Sequence, residues 1–133
     1  MFPRRFIPLI LAACFLLACS PRAYVVSRMA DAASSGGEVF ARDDDPELVR
    51  DAVPFALKAM ESLLASSPGH KGLLTALCKG FTQYAAAFVR QDAEEARDPG
   101  TRRAGMERAR RLLLRAREYG VRGLSADREG FAA

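Results

Sequence analysis

Asp45-Pro46-Glu47-Leu48-Val49-Arg50-Asp51-Ala52-Val53-Pro54-Phe55-Ala56-Leu57-Lys58-Ala59-Met60-Glu61-Ser62-Leu63-Leu64-Ala65-Ser66 is the stretch from which the architecture can be read. Val49, Val53, Ala56, Leu57, Met60, Leu63 and Leu64 recur at spacings of three and four, the pattern of a helix with one apolar face. Its start is marked chemically. Asp45 is placed to accept a backbone N–H as N-cap, Pro46 at the first helical position wastes no donor, and the acidic run Asp43-Asp44-Asp45 suits the positive end of the helix dipole. Pro54 removes one donor and crowds the preceding turn, so a kink is expected near Arg50–Asp51. Pro68-Gly69 then ends a helix spanning 46–66.

Outward from this helix the same signal repeats. A helix is expected over 23–33, with Val25, Val26, Met29 and Ala33 on a common side, closed by Ser34-Ser35-Gly36-Gly37. Another is expected over 73–93, carrying Leu74, Leu77, Phe81, Tyr84, Ala85, Phe88 and Val89. Asp98-Pro99-Gly100 breaks the chain, and a last helix over 102–119 carries Met106, Ala109, Leu112, Leu113 and Ala116 before Gly120 closes it as a C′ residue. No alternating run suggests a strand, so the expected fold is all-α, built of stacked antiparallel helix hairpins.

Such hairpins invite a search for a repeat. The tetratricopeptide pattern runs for about 34 residues with fixed small and large positions. With Pro68 as its terminal proline, Ala56, Met60 and Leu63 fall on the positions of a second helix. Leu74, Leu77, Cys78 and Phe81 then fall on the large-large-small-aromatic positions of the next first helix. Ala109, Leu113 and Ala116 complete that unit only after an insertion of about 19 residues. Cryptic tetratricopeptide-like repeats and plain hairpin packing both fit.

The 133 residues allow one domain, and 50% hydrophobic with 27% charged residues is a globular rather than a disordered composition. Three cysteines exclude a disulfide scaffold. The net charge of +4 conceals a split: residues 38–61 hold 7 acids against 3 bases, and 97–128 hold 10 Arg against 4 acids. No domain-wide nucleic-acid surface follows, and no nucleic acid is expected as a partner; a basic C-terminal face does follow. Arg102, Arg103, Arg108, Arg110, Arg111, Arg115 and Arg117 are spread around the last helix rather than forming one stripe, which fits either a solvated face or a docking surface for an acidic partner or anionic lipid.

The first residues read as an address. Arg4 and Arg5 precede the apolar run Phe6–Ala18. Its length of about 20 Å as a helix is too short for a bilayer core of about 30 Å, and a charged start before a short apolar run is a secretory signal peptide. Leu16-Leu17-Ala18-Cys19 resembles the bacterial lipobox, so residues 1–18 are expected to be a lipoprotein signal peptide, with Cys19 as the lipid attachment site. Acyl chains hold by about 0.8 kcal/mol per buried methylene, which ties an otherwise soluble domain to a membrane. Ser20 rather than Asp favours the outer membrane and its periplasmic face. A plain secretory peptide that happens to contain Cys is the competing reading. Cys78 then remains as a lone thiol, expected to be buried and inert.

The run from Asp43 to Lys58, with Met60-Glu61-Ser62-Leu63-Leu64, Ser67-Pro68, Gly72-Leu73-Leu74, Gly80-Phe81-Thr82-Gln83-Tyr84-Ala85 and Ala87-Phe88-Val89, resembles the T component of tripartite ATP-independent periplasmic (TRAP) transporters, the TatT family. Arg122-Gly123-Leu124 and Gly130-Phe131 match as well, so the likeness covers residues 23–131. The resemblance implies a helical lipoprotein over 19–133 with tetratricopeptide-like helix pairs and a channel. It also implies association with a periplasmic solute-binding protein and delivery of a ligand, hydrophobic in character. Members of the family run roughly twice this length, so the chain is expected to represent the N-terminal part, truncated where another helix would begin. Self-association into a homo-oligomer is compatible with such a scaffold, as is a general envelope scaffold role.

Phe81, Tyr84 and Phe88 stand at i, i+3 and i+7 on one helix face, which serves either core packing or the lining of a ligand channel, with Gln83 at its edge. Asp43, Asp44 and Asp45 lack the spaced loop ending in Glu that Ca²⁺ requires, and His70 has no second His or Cys nearby, so no metal or cofactor is expected. No G-x-S-x-G or nucleophile–base pairing is visible, and the protein is not expected to be an enzyme.

Overall fold

The computed structural model describes residues 21–125. The leader over 1–18, Cys19 and the Gly130-Phe131 tail lie outside the described residues. In chain order the helices are α1 (Pro21–Ser35), α2 (Gly37–Ala41), α3 (Pro46–Ser66) and α4 (Lys71–Tyr84), then a π-helical turn (Ala85–Arg90), α5 (Gln91–Glu95) and α6 (Pro99–Ser125). No strand occurs among the described residues, so the fold is all-α.

Helix α3 has the expected bounds and the expected cap. The Asp45 carboxylate accepts from the backbone N–H of Glu47 at 3.1 Å and of Leu48 at 3.0 Å, and Asp43 accepts from the Asp45 N–H. The helix runs without interruption through Pro54, which leaves the Arg50 carbonyl without its donor four residues on. His70 caps α4. Its Nδ1 accepts from the Leu73 N–H at 3.2 Å, and its Nε2 lies 3.2 Å from Asp31 Oδ1, which pins the end of α1 to the start of α4.

The helix expected over 73–93 is divided. In a regular helix the positions Phe81, Ala85, Val89 and Ala93 would drift round the axis, because four residues overshoot a turn by about 40°. The wider π turn cancels that drift, so all four are buried. The break before α6 is also a start signal. Asp98 Oδ2 accepts from the Thr101 N–H at 2.6 Å, and Pro99 occupies the first helical position, repeating the Asp45-Pro46 arrangement. Helix α6 does not stop at Gly120 but continues to Ser125. Gly120 is there for proximity: a Cβ at that position would stand 3.0 Å from Cys78 Sγ.

Helix α4 is the central element, packed against α1, α3 and α6. Contacts along its length give the directions. Leu57 meets Gly80 and Arg50 meets Asp92, so α3 runs opposite to α4. Tyr119 stacks on Phe81 and Gly120 touches Cys78, while Gly105 lies against Ala93, so α6 also runs opposite to α4. Leu73, Leu74 and Leu77 are fully buried, with Leu57, Leu64, Phe81, Ala116 and Tyr119 around them. Each such leucine contributes about 1.5–3 kcal/mol relative to exposure. Helix α1 corrects the sequence reading: Ala30 is its buried residue, while Val25 and Met29 are exposed. Small side chains let α1 approach α4 closely, with Ser34 against Gly72, and this turns the larger residues outward.

Candidate functional site

Three features bear on function. The first is a junction where α3, α4 and α6 meet. Glu61 on α3 is largely covered, and its carboxylate is held from three sides. Tyr119 O–H donates to Oε1 at 2.5 Å, Arg115 Nη2 donates to the same oxygen at 2.6 Å, and Lys58 Nζ donates to Oε2 at 2.7 Å. Burial pushes the Glu61 carboxyl upward, and the donors from Lys58, Tyr119 and Arg115 outweigh it, holding the group below the usual carboxylate range. Burial, and then the Glu61 carboxylate, raise the Tyr119 phenol above its ordinary value. The Arg115 guanidinium also lies over the Phe81 ring at 5.1 Å, and Arg122 covers the Tyr119 ring at 5.7 Å while donating to the Pro68 carbonyl. Polar and aromatic contacts therefore tie α3, α4 and α6 together at this junction.

The second feature is the aromatic face singled out in the sequence. The structure separates its members. Phe81 is buried and stacks on Tyr119, with ring centroids 5.9 Å apart. Tyr84 and Phe88 are half-buried and pack on each other at 5.6 Å. Phe88 lies beneath the Arg50 guanidinium of α3, which is paired with Asp92 at 2.8 Å. The π turn between Tyr84 and Phe88 is the cause, because it rotates everything beyond Ala85 relative to Phe81. Gln83 is exposed.

The third feature was not foreseen. An open groove of about 370 Å³ between the π turn and α6 is lined by Arg90, Met106, Ala109, Arg110, Leu113, Leu114 and Arg117. The arginines of α6 do not all scatter, as the sequence reading had it. Arg103, Arg110 and Arg117 follow at seven-residue spacing along this side, with Met106 and Leu113 between them. The heptad spacing was visible in the sequence; what was missing was that Met106, Leu113 and Leu114 stay exposed beside the buried Ala109.

Among the described residues no helix is long and apolar enough to cross a membrane, and no group of three or more His, Cys, Asp or Glu is placed to hold a metal ion. The chain is similar to an uncharacterized protein of Treponema pallidum (strain Nichols), with 34% identity over 95 residues. That match takes in 70% of this chain and 29% of the relative, so the matched part is under a third of the relative's length. No solved structure matches the chain. The model of the TRAP transporter T-component family matches residues 42–133, from just before the capped start of α3 through the Glu61 junction and all of α6, and the chain belongs to that family.

Proposed function

We propose that this protein is the accessory component of a TRAP-type solute transporter, tethered to the outer membrane through acyl chains on Cys19 and facing the periplasm, where it holds a periplasmic solute-binding protein. The observation that carries this reading is the family match over 42–133. The mechanism is physical: the helices make a rigid body, the uncovered faces bind, and the tether raises the effective concentration of the bound partner at the membrane. In this reading the helix pairs are tetratricopeptide-like, with α3 as a second helix and α4 with α6 as the next pair. The close approach of Gly120 to Cys78 at the small position supports it.

A hydrophobic ligand belongs to the same proposal, along Phe81, Tyr84 and Phe88. Tyr84 and Phe88 are partly accessible, whereas Phe81 is covered by Tyr119, so contact with all three requires α4 and α6 to part. The test is affinity capture of the full-length tagged protein from envelope extracts, with the captured proteins identified by mass spectrometry. Recovery of a TRAP-type solute-binding protein is expected. Recovery of outer-membrane assembly proteins in its place would refute the transporter reading in favour of a general envelope scaffold.

A further inference from the structure

His70 makes two contacts with one ring, and together they require one tautomer. Its Nδ1 accepts from the Leu73 N–H at 3.2 Å, so Nδ1 carries no proton. The proton of the neutral ring is therefore on Nε2, which faces Asp31 Oδ1 at 3.2 Å. The first contact caps α4, and the second reaches across to α1. Little else in α1 is apolar and covered. Ala30 is buried and Ala33 packs against the core, whereas Tyr24, Val25 and Met29 are exposed. The approach is close: a Cβ on Gly72 would stand 2.9 Å from Ser34 Oγ and 3.2 Å from His70 Cε1, so the ring and the end of α1 sit over the first turn of α4. The charged groups around the ring are Asp31 on α1, Lys71 beside it on α4, and Arg122 of α6, which donates to the Pro68 carbonyl. The end of α3 contributes Ser66 and Ser67, which carry no charge.

We propose that His70 is a pH-sensitive latch, which docks α1 on α4 while its ring is neutral and releases α1 when the ring is protonated. Imidazole is the side chain that changes charge between about pH 5 and 8. A second proton must go to Nδ1, where the new N–H would point at the Leu73 N–H. The cap is then lost, the part-buried Leu73 donor has no acceptor, and a positive charge lies at the positive end of the α4 dipole. The same proton turns the Asp31 contact into an ion pair. Asp31 is 58% exposed, so solvent screens that gain and it does not offset the losses. Docking is therefore complete above the imidazole range and is lost as pH falls through it. Glu61 is held below the usual carboxylate range, so its titration lies outside this window. Helix α1 starts at Pro21, two residues after Cys19, so its release would slacken the link between anchor and bundle. That consequence rests on the Cys19 reading; the latch itself does not.

The experiment follows amide hydrogen exchange in the full chain, purified from bacterial envelopes in mild detergent, at about pH 7.5 and about pH 5.5, with rates corrected for the intrinsic effect of pH. In the wild type, exchange over 24–35 and 71–77 is expected to be at least about ten-fold faster at the lower pH, while 101–118 changes by less than about two-fold. His70→Asn keeps a side chain that caps a helix and does not titrate, so its exchange is expected to be the same at both values. Asp31→Asn removes only the offsetting charge, so release is expected to persist. His70 is the single histidine of the chain, so one pair of ring-nitrogen signals in the NMR spectrum of the wild type reports the tautomer, whether or not a variant folds. A proton on Nε2 and none on Nδ1 is expected at the higher pH. The opposite tautomer, equal or slower exchange of 24–35 on acidification, or the same acceleration in His70→Asn would each overturn the proposal.

Discussion

The Glu61 junction makes a quantitative claim that Tyr119→Phe tests directly. The substitution keeps the ring that stacks on Phe81 and removes only the hydroxyl that donates to Glu61. A hydrogen bond to a charged group is worth about 1.5–3 kcal/mol. Glu61 retains Arg115 and Lys58, so its carboxylate is not stranded, and the lower end of that range applies. With a urea slope of about 1.5 kcal/mol/M for a domain of this size, the unfolding midpoint should fall by about 1 M at constant slope. The assay is urea denaturation followed by far-ultraviolet circular dichroism at neutral pH. The pH dependence gives a second reading. The folded carboxyl of Glu61 lies below its unfolded value, so its contribution is fully present above about pH 5 and is lost as pH falls through the folded value. The stability gap between the wild type and Glu61→Gln should therefore close on acidification below pH ~4. A Tyr119→Phe midpoint within ~0.2 M of the wild type, or a gap that does not change with pH, would refute the view that this junction fixes the bundle.

Three further outcomes are expected. Leu77→Ala empties a fully buried site at the centre of α4 and should cost about 3–5 kcal/mol, readable as a large drop in urea midpoint or as failure to fold. Asp45→Ala removes two capping bonds from α3 and should cost about 1 kcal/mol, whereas Asp44→Ala, whose side chain caps nothing, should leave the midpoint within about 0.5 kcal/mol of the wild type. Cys19→Ser removes the proposed acylation site and should move the protein from the membrane pellet to the soluble fraction; a variant that still sediments with membranes would end the lipid reading.

The helices themselves were legible in the chain because their signals are local. A cap such as Asp45-Pro46 and an apolar spacing of three and four act within a few residues, and α3 has the bounds they dictate. The same logic failed wherever a neighbour decides. Gly120 reads as a stop signal, but it lies inside α6 because Cys78 of α4 needs the space. The run 73–93 reads as one helix, but the demand that Phe81, Ala85, Val89 and Ala93 all face α6 forces a π turn into it. That turn in turn parted Phe88 from Phe81, which periodicity alone had placed on one face.

The sequence by itself determined that the protein is all helical, where its strongest helix starts and ends, and, through a long run of characteristic residues, its family. Only the tertiary structure decided which apolar residues are core and which are surface. On α1 the spacing picked out Val25 and Met29, yet these are 54% and 56% exposed while the small Ala30 is fully buried. Burial is a property of what packs opposite a side chain, and nothing in a single helix specifies which neighbour will arrive or which face it will leave bare.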